Sequence, residues 1–124
     1  KVKTLSVKAK ENMLHAKVSN VELLLSDGRL LNFRHGSIDT IVSDWPWGIR
    51  EGSFSTIQKL YPKFIRQISH VLRKNGKAYI VSQGQKLMGR VLEYDWVKEI
   101  FLIEDILSIS IGGIGVFIYI LKKK

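Results

Sequence analysis

A long uncharged segment near the end of the chain restricts the folds that are open to it. Residues 106–121 are rich in isoleucine and contain no charged side chain. The segment is shorter than the ~18 apolar residues that a membrane-spanning helix requires, and Gly112, Gly113 and Gly115 interrupt its middle. Two β-branched runs around a Gly-Gly centre are typical of a hairpin, so we expect two buried antiparallel strands and no membrane span.

Helical and extended patterns alternate along the rest of the chain. Helical spacing of apolar residues is present at residues 7–19, 60–74 and 85–94. Apolar or β-branched runs that are typical of strands are present at residues 21–25, 38–43, 77–82 and 96–104. Asn75 and Gly76 are expected to end the second helix. This alternation predicts one α/β domain with a mostly parallel sheet, to which the hairpin adds an antiparallel strand.

Unusual residues follow two of the predicted strands. Asp27 and Gly28 come after the first of them, and the sequence Asp-Trp-Pro-Trp-Gly occupies residues 44–48 after the second. In open α/β sheets, ligands bind beyond the carboxyl ends of the strands. We therefore expect both groups of residues to face one crevice.

The loop that follows the second strand suits a flat base with an exocyclic amine. Asp44 supplies a carboxylate that can accept the N–H bonds of the amine and help to localise its lone pair. Pro46 keeps the loop rigid, and Trp47 offers a stacking surface, which is worth ~1–3 kcal/mol per base in other proteins. Trp45 would add a second apolar wall, and Gly48 would let the backbone turn closely beneath the base. The alternative is that both tryptophans belong to the core and that the aspartate caps a helix.

At this point the sequence resembles a known family. The loop is similar to the Asp/Asn-Pro-Pro-aromatic loop of amino-directed class I methyltransferases, with Trp45 in place of the first proline. Residues 37–48, 60–78 and 109–121 together are similar to the catalytic domain of THUMP-containing tRNA guanine-N2 methyltransferases. The resemblance implies a Rossmann-like sheet, S-adenosylmethionine as the cofactor, tRNA as the substrate and methyl transfer to guanine N2.

The resemblance also implies roles for individual residues. Asp44 would orient the target amine, Pro46 would present its carbonyl group to that amine, and Trp47 would stack on the guanine. Asp27, followed by Gly28, would meet the adenine amino group of the cofactor. The alternative for these two residues is an ordinary Asp-Gly turn.

The sequence departs from the family pattern at its front. No Gly-x-Gly occurs upstream of Ser26, and Thr4, Leu5 and Ser6 stand where an acidic residue for the cofactor ribose is expected. The chain also does not begin with Met. We therefore expect residues 1–124 to be a truncated domain that lacks the first strand and the glycine-rich loop. Such a chain is expected to bind the cofactor weakly or not at all, and to pair its open sheet edge with a second copy or a separate segment.

The charge balance favours a polyanionic partner. The chain has 20 Lys and Arg against 11 Asp and Glu, which gives a formal net charge of +9. A basic domain attracts phosphate backbones. The less favoured alternative is that the charge serves only to keep the protein dispersed. Five of the cations lie on or near one predicted helix, either as a solvated face or as contacts to RNA: Lys59, Lys63, Arg66, Arg73 and Lys74.

Other kinds of site are disfavoured. The absence of cysteine excludes disulfides, thiolate zinc sites and a thiol nucleophile. His15, His35 and His70 have no obvious third ligand near them, so we expect no metal site. The basic residues 122–124 are expected to be a solvated tail.

Two rival functions remain open at this point. One is methyl transfer to adenine N6 or another nucleic-acid amine, and the other is a non-catalytic RNA-binding module. An activator subunit is a further possible partner. An enzyme acting on tRNA is expected in the cytoplasm or the nucleus.

Overall fold

In a computed structural model, the protein is described over residues 2–24, 26–45, 54–83 and 85–124, with the side chains of residues 2–6 and 54–57 left aside. The helices are α1 (Val2–His15), α2 (Phe54–Val71), α3 (Gln85–Leu92) and α4 (Asp95–Ile100). The strands are β1 (Ile38–Asp44), β2 (Leu72–Ser82), β3 (Phe101–Ile111) and β4 (Ile114–Lys123).

The four strands form one open sheet in the order β1-β2-β4-β3. β1 and β2 are parallel, whereas β4 is antiparallel to both of its neighbours. Gly112 and Gly113 make the turn between β3 and β4 with positive φ angles of 56° and 81°, which side chains other than glycine rarely adopt. The α/β class and the C-terminal hairpin are confirmed. The sheet is mixed, because the hairpin supplies half of the described strands and confines the parallel part to β1 and β2.

The core lies between this sheet and the helices that follow its strands. Tyr61, Ile65 and Ile68 form one face of α2 at helical spacing, and all three are buried. β2 buries alternate side chains, including Ala78 and Ile80, as a central strand does. Burying each large aliphatic side chain contributes about 1.5–3 kcal/mol, so this layer fixes α2 against the two parallel strands.

The hairpin is buried mainly through β4, since Phe101 at the start of β3 is the only fully buried residue of that strand. Val116, Tyr119 and Leu121 of β4 are buried in the core. β3, by contrast, exposes Leu102 and Ile106 at 52% and 48% of their surfaces. The prediction that both strands are buried is therefore wrong for β3. This strand lies at the sheet edge, and most of it has no described helix packed over it.

The first predicted strand is absent from the described residues. Residues 21–24 have no strand pairing, and the only bridge nearby joins Asp27 to Leu30. Leu24 is 68% exposed. An apolar run forms a strand only where a neighbouring strand accepts its backbone hydrogen bonds, and no described strand lies beside this one.

The second helix ends earlier than its sequence pattern predicts. α2 stops at Val71, and Asn75 and Gly76 lie within β2 and do not cap the helix. Residues 73–76 bulge out of the strand, since the register against β1 shifts there and Asn75 has a φ angle of 66°. The Asn-Gly signal for a break in regular structure was correct, but the break lies inside a strand.

Two further corrections concern the C-terminal third. Residues 96–100 form part of α4 and not a strand, because Trp96, Val97 and Ile100 turn toward the core at helical spacing. The basic tail is not simply solvated. The Lys123 ammonium group donates hydrogen bonds to the carbonyl oxygens of Ser69 and Leu72, at 2.7 and 2.9 Å, and so satisfies the carboxyl end of α2.

Candidate functional site

A cavity of about 460 Å³ lies between β1, α2 and the segment around residues 28–33. Its lining is mostly apolar and includes Gly28, Phe33, Ile41, Asp44, Trp45 and Phe64. Three residues that the sequence singled out, Gly28, Asp44 and Trp45, are thus brought to one cavity. The expectation that the two segments meet in one crevice is confirmed for these residues.

Asp44 is the last residue of β1 and is exposed to solvent. It lies opposite Val81 of β2, and the next residue continues the ladder, since the Trp45 N–H donates to the Val81 carbonyl oxygen at 2.9 Å. The backbone around the carboxylate is therefore held by the neighbouring strand. This fixes Asp44 at the carboxyl end of the parallel pair, on the wall of the cavity.

Trp45 has only 4% of its surface exposed and belongs to the core. Its ring makes edge-on contacts with Tyr61 and Phe64, at centroid distances of 4.9 and 5.2 Å. Its packing agrees with the alternative interpretation, in which this tryptophan is an aromatic residue of the core. Because it also lines the cavity, a contact with a bound base stays a prediction.

Tyr61 and Ser82 form a hydrogen-bonded hydroxyl pair beneath this wall. Their oxygens are 2.7 Å apart, and both residues are fully buried. Burial raises the pKa of the Tyr61 phenol, the Ser82 hydrogen bond lowers it, and the negative charge of Asp44 raises it further. Tyr61 is thus a protonated phenol close to the carboxylate. No sequence pattern pointed to this pair, because its two residues are 21 positions apart in the chain.

Asp27 is engaged by its neighbour Arg29. The guanidinium group lies 2.6 Å from the carboxylate, and the Arg29 backbone N–H also donates to it at 2.8 Å. These contacts lower the pKa of Asp27 to about 2. The alternative of an Asp-Gly turn fits this geometry, and the described lining of the cavity includes Gly28 and not Asp27. Contact of Asp27 with a cofactor stays a prediction.

Gly28 allows a close approach between its loop and α2. A Cβ atom at this position would lie 3.1 Å from Cε1 of Phe64. Since both residues line the cavity, a side chain at residue 28 would press on its wall. The described lining of the cavity contains no Lys or Arg side chain that could bind a phosphate.

Pro46, Trp47 and Gly48 lie outside the described residues, so the structure does not test their predicted roles. Within the described ranges, no three His, Asp or Glu side chains come together as metal ligands, although the rings of His35 and His70 contact each other at 5.0 Å. In the same part of the chain, every helix is too short or too polar to cross a membrane.

The five cations that were expected on or near one helix lie on two elements: Lys59, Lys63 and Arg66 on α2, and Arg73 and Lys74 in β2. The Arg66 guanidinium group stacks on Trp96 at 4.2 Å from the ring centroid, and Arg73 pairs with Asp39 at 2.8 Å. Lys59 is exposed to solvent. The face is solvated, and its contact with RNA stays a prediction.

Comparison with known proteins decides the family. Residues 2–103 match the family described as "RMKL-like, methyltransferase domain". The chain belongs to this family. Residues 2–103 are therefore those of a methyltransferase domain, and the resemblance inferred from the sequence is confirmed.

Individual relatives agree with this assignment. The tRNA (guanine(6)-N(2))-methyltransferase THUMP3 of Bos taurus is 34% identical over 97 residues, which are 75% of this chain and 18% of that protein. TrmN from Thermus thermophilus superposes with a TM-score of 0.77 at 23% identity, over 94% of this chain and 32% of that one. The N-methyltransferase NodS from Bradyrhizobium japonicum, solved with S-adenosyl-L-homocysteine, superposes with a TM-score of 0.62 at 10% identity. The superposition covers 90% of this chain and 58% of that one. The fold is thus that of the Rossmann-like class I methyltransferases, and the chain spans under a fifth of the length of its bovine relative.

Proposed function

We propose that this chain forms the acceptor-binding part of an S-adenosylmethionine-dependent methyltransferase that modifies guanine N2 in tRNA. The observation that carries the proposal is the position of Asp44. In a chain of this family, an exposed carboxylate ends β1 on the wall of an apolar cavity and is backed by packed aromatic rings. That arrangement offers an acceptor for amine protons next to space for a flat ring.

Each residue of the site would have a separate role in binding or orienting the guanine. Asp44 accepts the N–H bonds of the guanine amine and so directs its lone pair. Trp45 is held by Tyr61 and Phe64, and its backbone bond to β2 keeps the adjoining carboxylate in place. S-adenosylmethionine, when bound, supplies the electrophilic methyl group. Pro46 and Trp47 would present a carbonyl group and a stacking surface, as the sequence resemblance implies.

The lining fits only part of the cofactor. The apolar space beside Gly28 suits a flat ring. The sequence has no glycine before Gly28, so it holds no glycine-rich turn upstream of that position. We therefore expect this chain alone to bind S-adenosylmethionine weakly or not at all. Calorimetry that finds micromolar affinity would contradict this expectation.

The outer edge of β1 is open to a further strand. Among the described strands, β1 pairs only with β2, and Val42 is 77% exposed on it. Unpaired backbone groups on such an edge favour pairing with another chain. We expect a separate segment or a second copy to occupy it, which cross-linking from this strand would detect. The need for an activator subunit and a cytoplasmic or nuclear location stay predictions.

The test is methyl transfer by the full-length protein that contains this sequence. Asp44→Ala should lower the turnover of transcribed tRNA by about 10²-fold or more, as the loss of a polar group that stabilises a transition state does. Alanine is used because asparagine also occupies this position in the loop that the sequence resembles. Asp39→Ala is the control: it removes an exposed carboxylate that pairs with Arg73 on the same strand, and it should keep full turnover. Undiminished turnover in Asp44→Ala would support a non-catalytic module, and nucleoside analysis of the product separates guanine N2 from adenine N6.

A further inference from the structure

A second cavity, of about 700 Å³, lies between the first turns of α2 and the length of α3. It shares no lining residue with the first cavity. Its polar lining consists of Gln58, Gln85, Lys86, Arg90, Glu93 and Tyr94. No part of the function proposed above uses these residues.

This second cavity lies at the same end of the sheet as Asp44. α3 begins at Gln85, directly after the carboxyl end of β2. Asp44 of β1 lies opposite Val81 of β2, one residue before that end. Gln58 lies one turn into α2, which follows the loop that leaves Asp44. A polymer whose target base reaches Asp44 would therefore pass close to this cavity.

The cavity has an excess of positive charge. Lys86 and Arg90 are four residues apart on α3, on one face of the helix, and both are exposed. Neither has a carboxylate partner within the described part of the chain. The acidic residue of the lining, Glu93, is already neutralised by Lys98 at 2.5 Å. Two cations thus remain available to an anionic ligand.

An aromatic surface adjoins these cations. Tyr94 is 43% exposed, and its ring centroid lies 6.5 Å from that of Trp96. The Arg66 guanidinium group stacks on the Trp96 ring, 4.2 Å from its centroid. Cations next to exposed aromatic rings are the combination by which proteins hold unpaired nucleotides. A free phosphate ion or an acidic peptide would make no use of the rings.

We propose that this second cavity binds the RNA backbone next to the modified base, with Lys86 and Arg90 each contacting a phosphate and Tyr94 stacking on a flanking base. Naming RNA as the polyanion rests on the proposed function. The charge, the size of the cavity and its position beside the strand ends are independent of that function.

The experiment measures binding of a fluorescently labelled tRNA transcript to the 124-residue chain by anisotropy over a range of salt, without cofactor. Loss of two phosphate contacts in Lys86→Gln/Arg90→Gln should lower the slope of log affinity against log salt by about 1.4, since each phosphate of a single strand contributes about 0.7. Lys8→Gln/Lys10→Gln removes the same charge from exposed positions of α1 and should leave the slope nearly unchanged. Circular dichroism checks that all variants fold.

Tyr94 provides a second measurement. Tyr94→Ala should weaken binding by about tenfold at an unchanged slope, while Tyr94→Phe should bind like the parent chain. Equal slope changes in the two double variants, or no binding of the transcript by the parent chain, would overturn the proposal. Because no methyl transfer is measured, loss of turnover in other variants leaves this result unaffected, and an inactive protein with the expected slope change would refute only the proposed function.

Discussion

The Tyr61 hydroxyl lies 2.7 Å from the Ser82 hydroxyl, and this bond joins the middle of α2 to the last residue of β2 inside the core. Trp45 packs edge-on against the same tyrosine ring. The helix, the end of the strand and the residue next to Asp44 therefore share one buried contact. A change at Tyr61 should affect both the stability of the fold and the placement of the candidate carboxylate.

Tyr61→Phe removes the hydroxyl and keeps the ring. Because the net contribution of a buried hydrogen bond is about 1 kcal/mol, we expect a loss of that size in the free energy of unfolding. Tyr119→Phe is the matched control, since the Tyr119 hydroxyl is buried and has no hydrogen-bond partner among the described residues. Urea denaturation of both variants measures the difference. A loss as large in Tyr119→Phe would show that the Ser82 bond is not the cause.

Gly76→Ala should destabilise the protein, whereas Gly89→Ala should not. A Cβ atom at Gly76 would lie 2.8 Å from the Asp39 carbonyl oxygen and 2.9 Å from that of Arg73, both backbone atoms. We expect a loss of about 1–3 kcal/mol, as overpacking usually costs. At Gly89, within α3, the added atom meets nothing within 4 Å, and alanine should raise the stability by about 0.5–1 kcal/mol. Thermal unfolding compares the two variants, and equal effects would contradict the close backbone approach at Gly76.

Lys123→Met should lower stability although the residue stands in a basic tail. Its ammonium group donates to two carbonyl oxygens at the end of α2, at 2.7 and 2.9 Å. Hydrogen bonds from a charged group contribute about 1.5–3 kcal/mol, so a loss within that range is expected on chemical denaturation. Lys122→Met removes the same charge from the neighbouring residue and should change stability little.

The carboxyl group of Asp27 should titrate at about pH 2, below its usual value of 3.8, because Arg29 bonds to its charged form. A depressed pKa in the folded protein means that any stabilisation is present above pH 3.8 and is lost as the pH falls toward 2. Arg29→Gln should raise the pKa toward its ordinary value without fully restoring it, because the backbone N–H of residue 29 still donates to the carboxylate. An NMR titration of the Asp27 carboxyl carbon measures this, and an unchanged low pKa would assign the shift to another group.

The local sequence pattern correctly predicted those helices and strands whose packing in the fold agrees with that pattern. The Gly-Gly hairpin, β1 and the apolar face of α2 follow from spacing and turn residues alone. Residues 21–24 have an equally apolar run but gain no neighbouring strand among those described. Lys123 was misjudged because its partners, Ser69 and Leu72, are more than 50 residues away in the chain.

Part of the candidate site could likewise be predicted from the sequence, and part of it could not. Asp44 and Gly28 were predicted to meet because both were expected at strand ends on one edge of the sheet. They do line one cavity, but only Asp44 ends a strand, and Gly28 lies in a loop that packs against α2. The bond between Tyr61 and Ser82 spans 21 residues and depends on how α2 packs, so no local pattern could reveal it. The family resemblance supplied roles for Pro46 and Trp47, which the described residues do not include.

The apolar outer strand of the hairpin bears on how this protein behaves in solution. At low ionic strength, the net charge of +9 keeps copies apart. Salt weakens that repulsion, since the screening length falls to about 10 Å at 0.1 M, while contact between exposed isoleucines and leucines of β3 is not weakened. Light scattering should therefore rise with ionic strength. The salt concentration at which the rise begins is the upper limit for RNA titrations that report on single molecules.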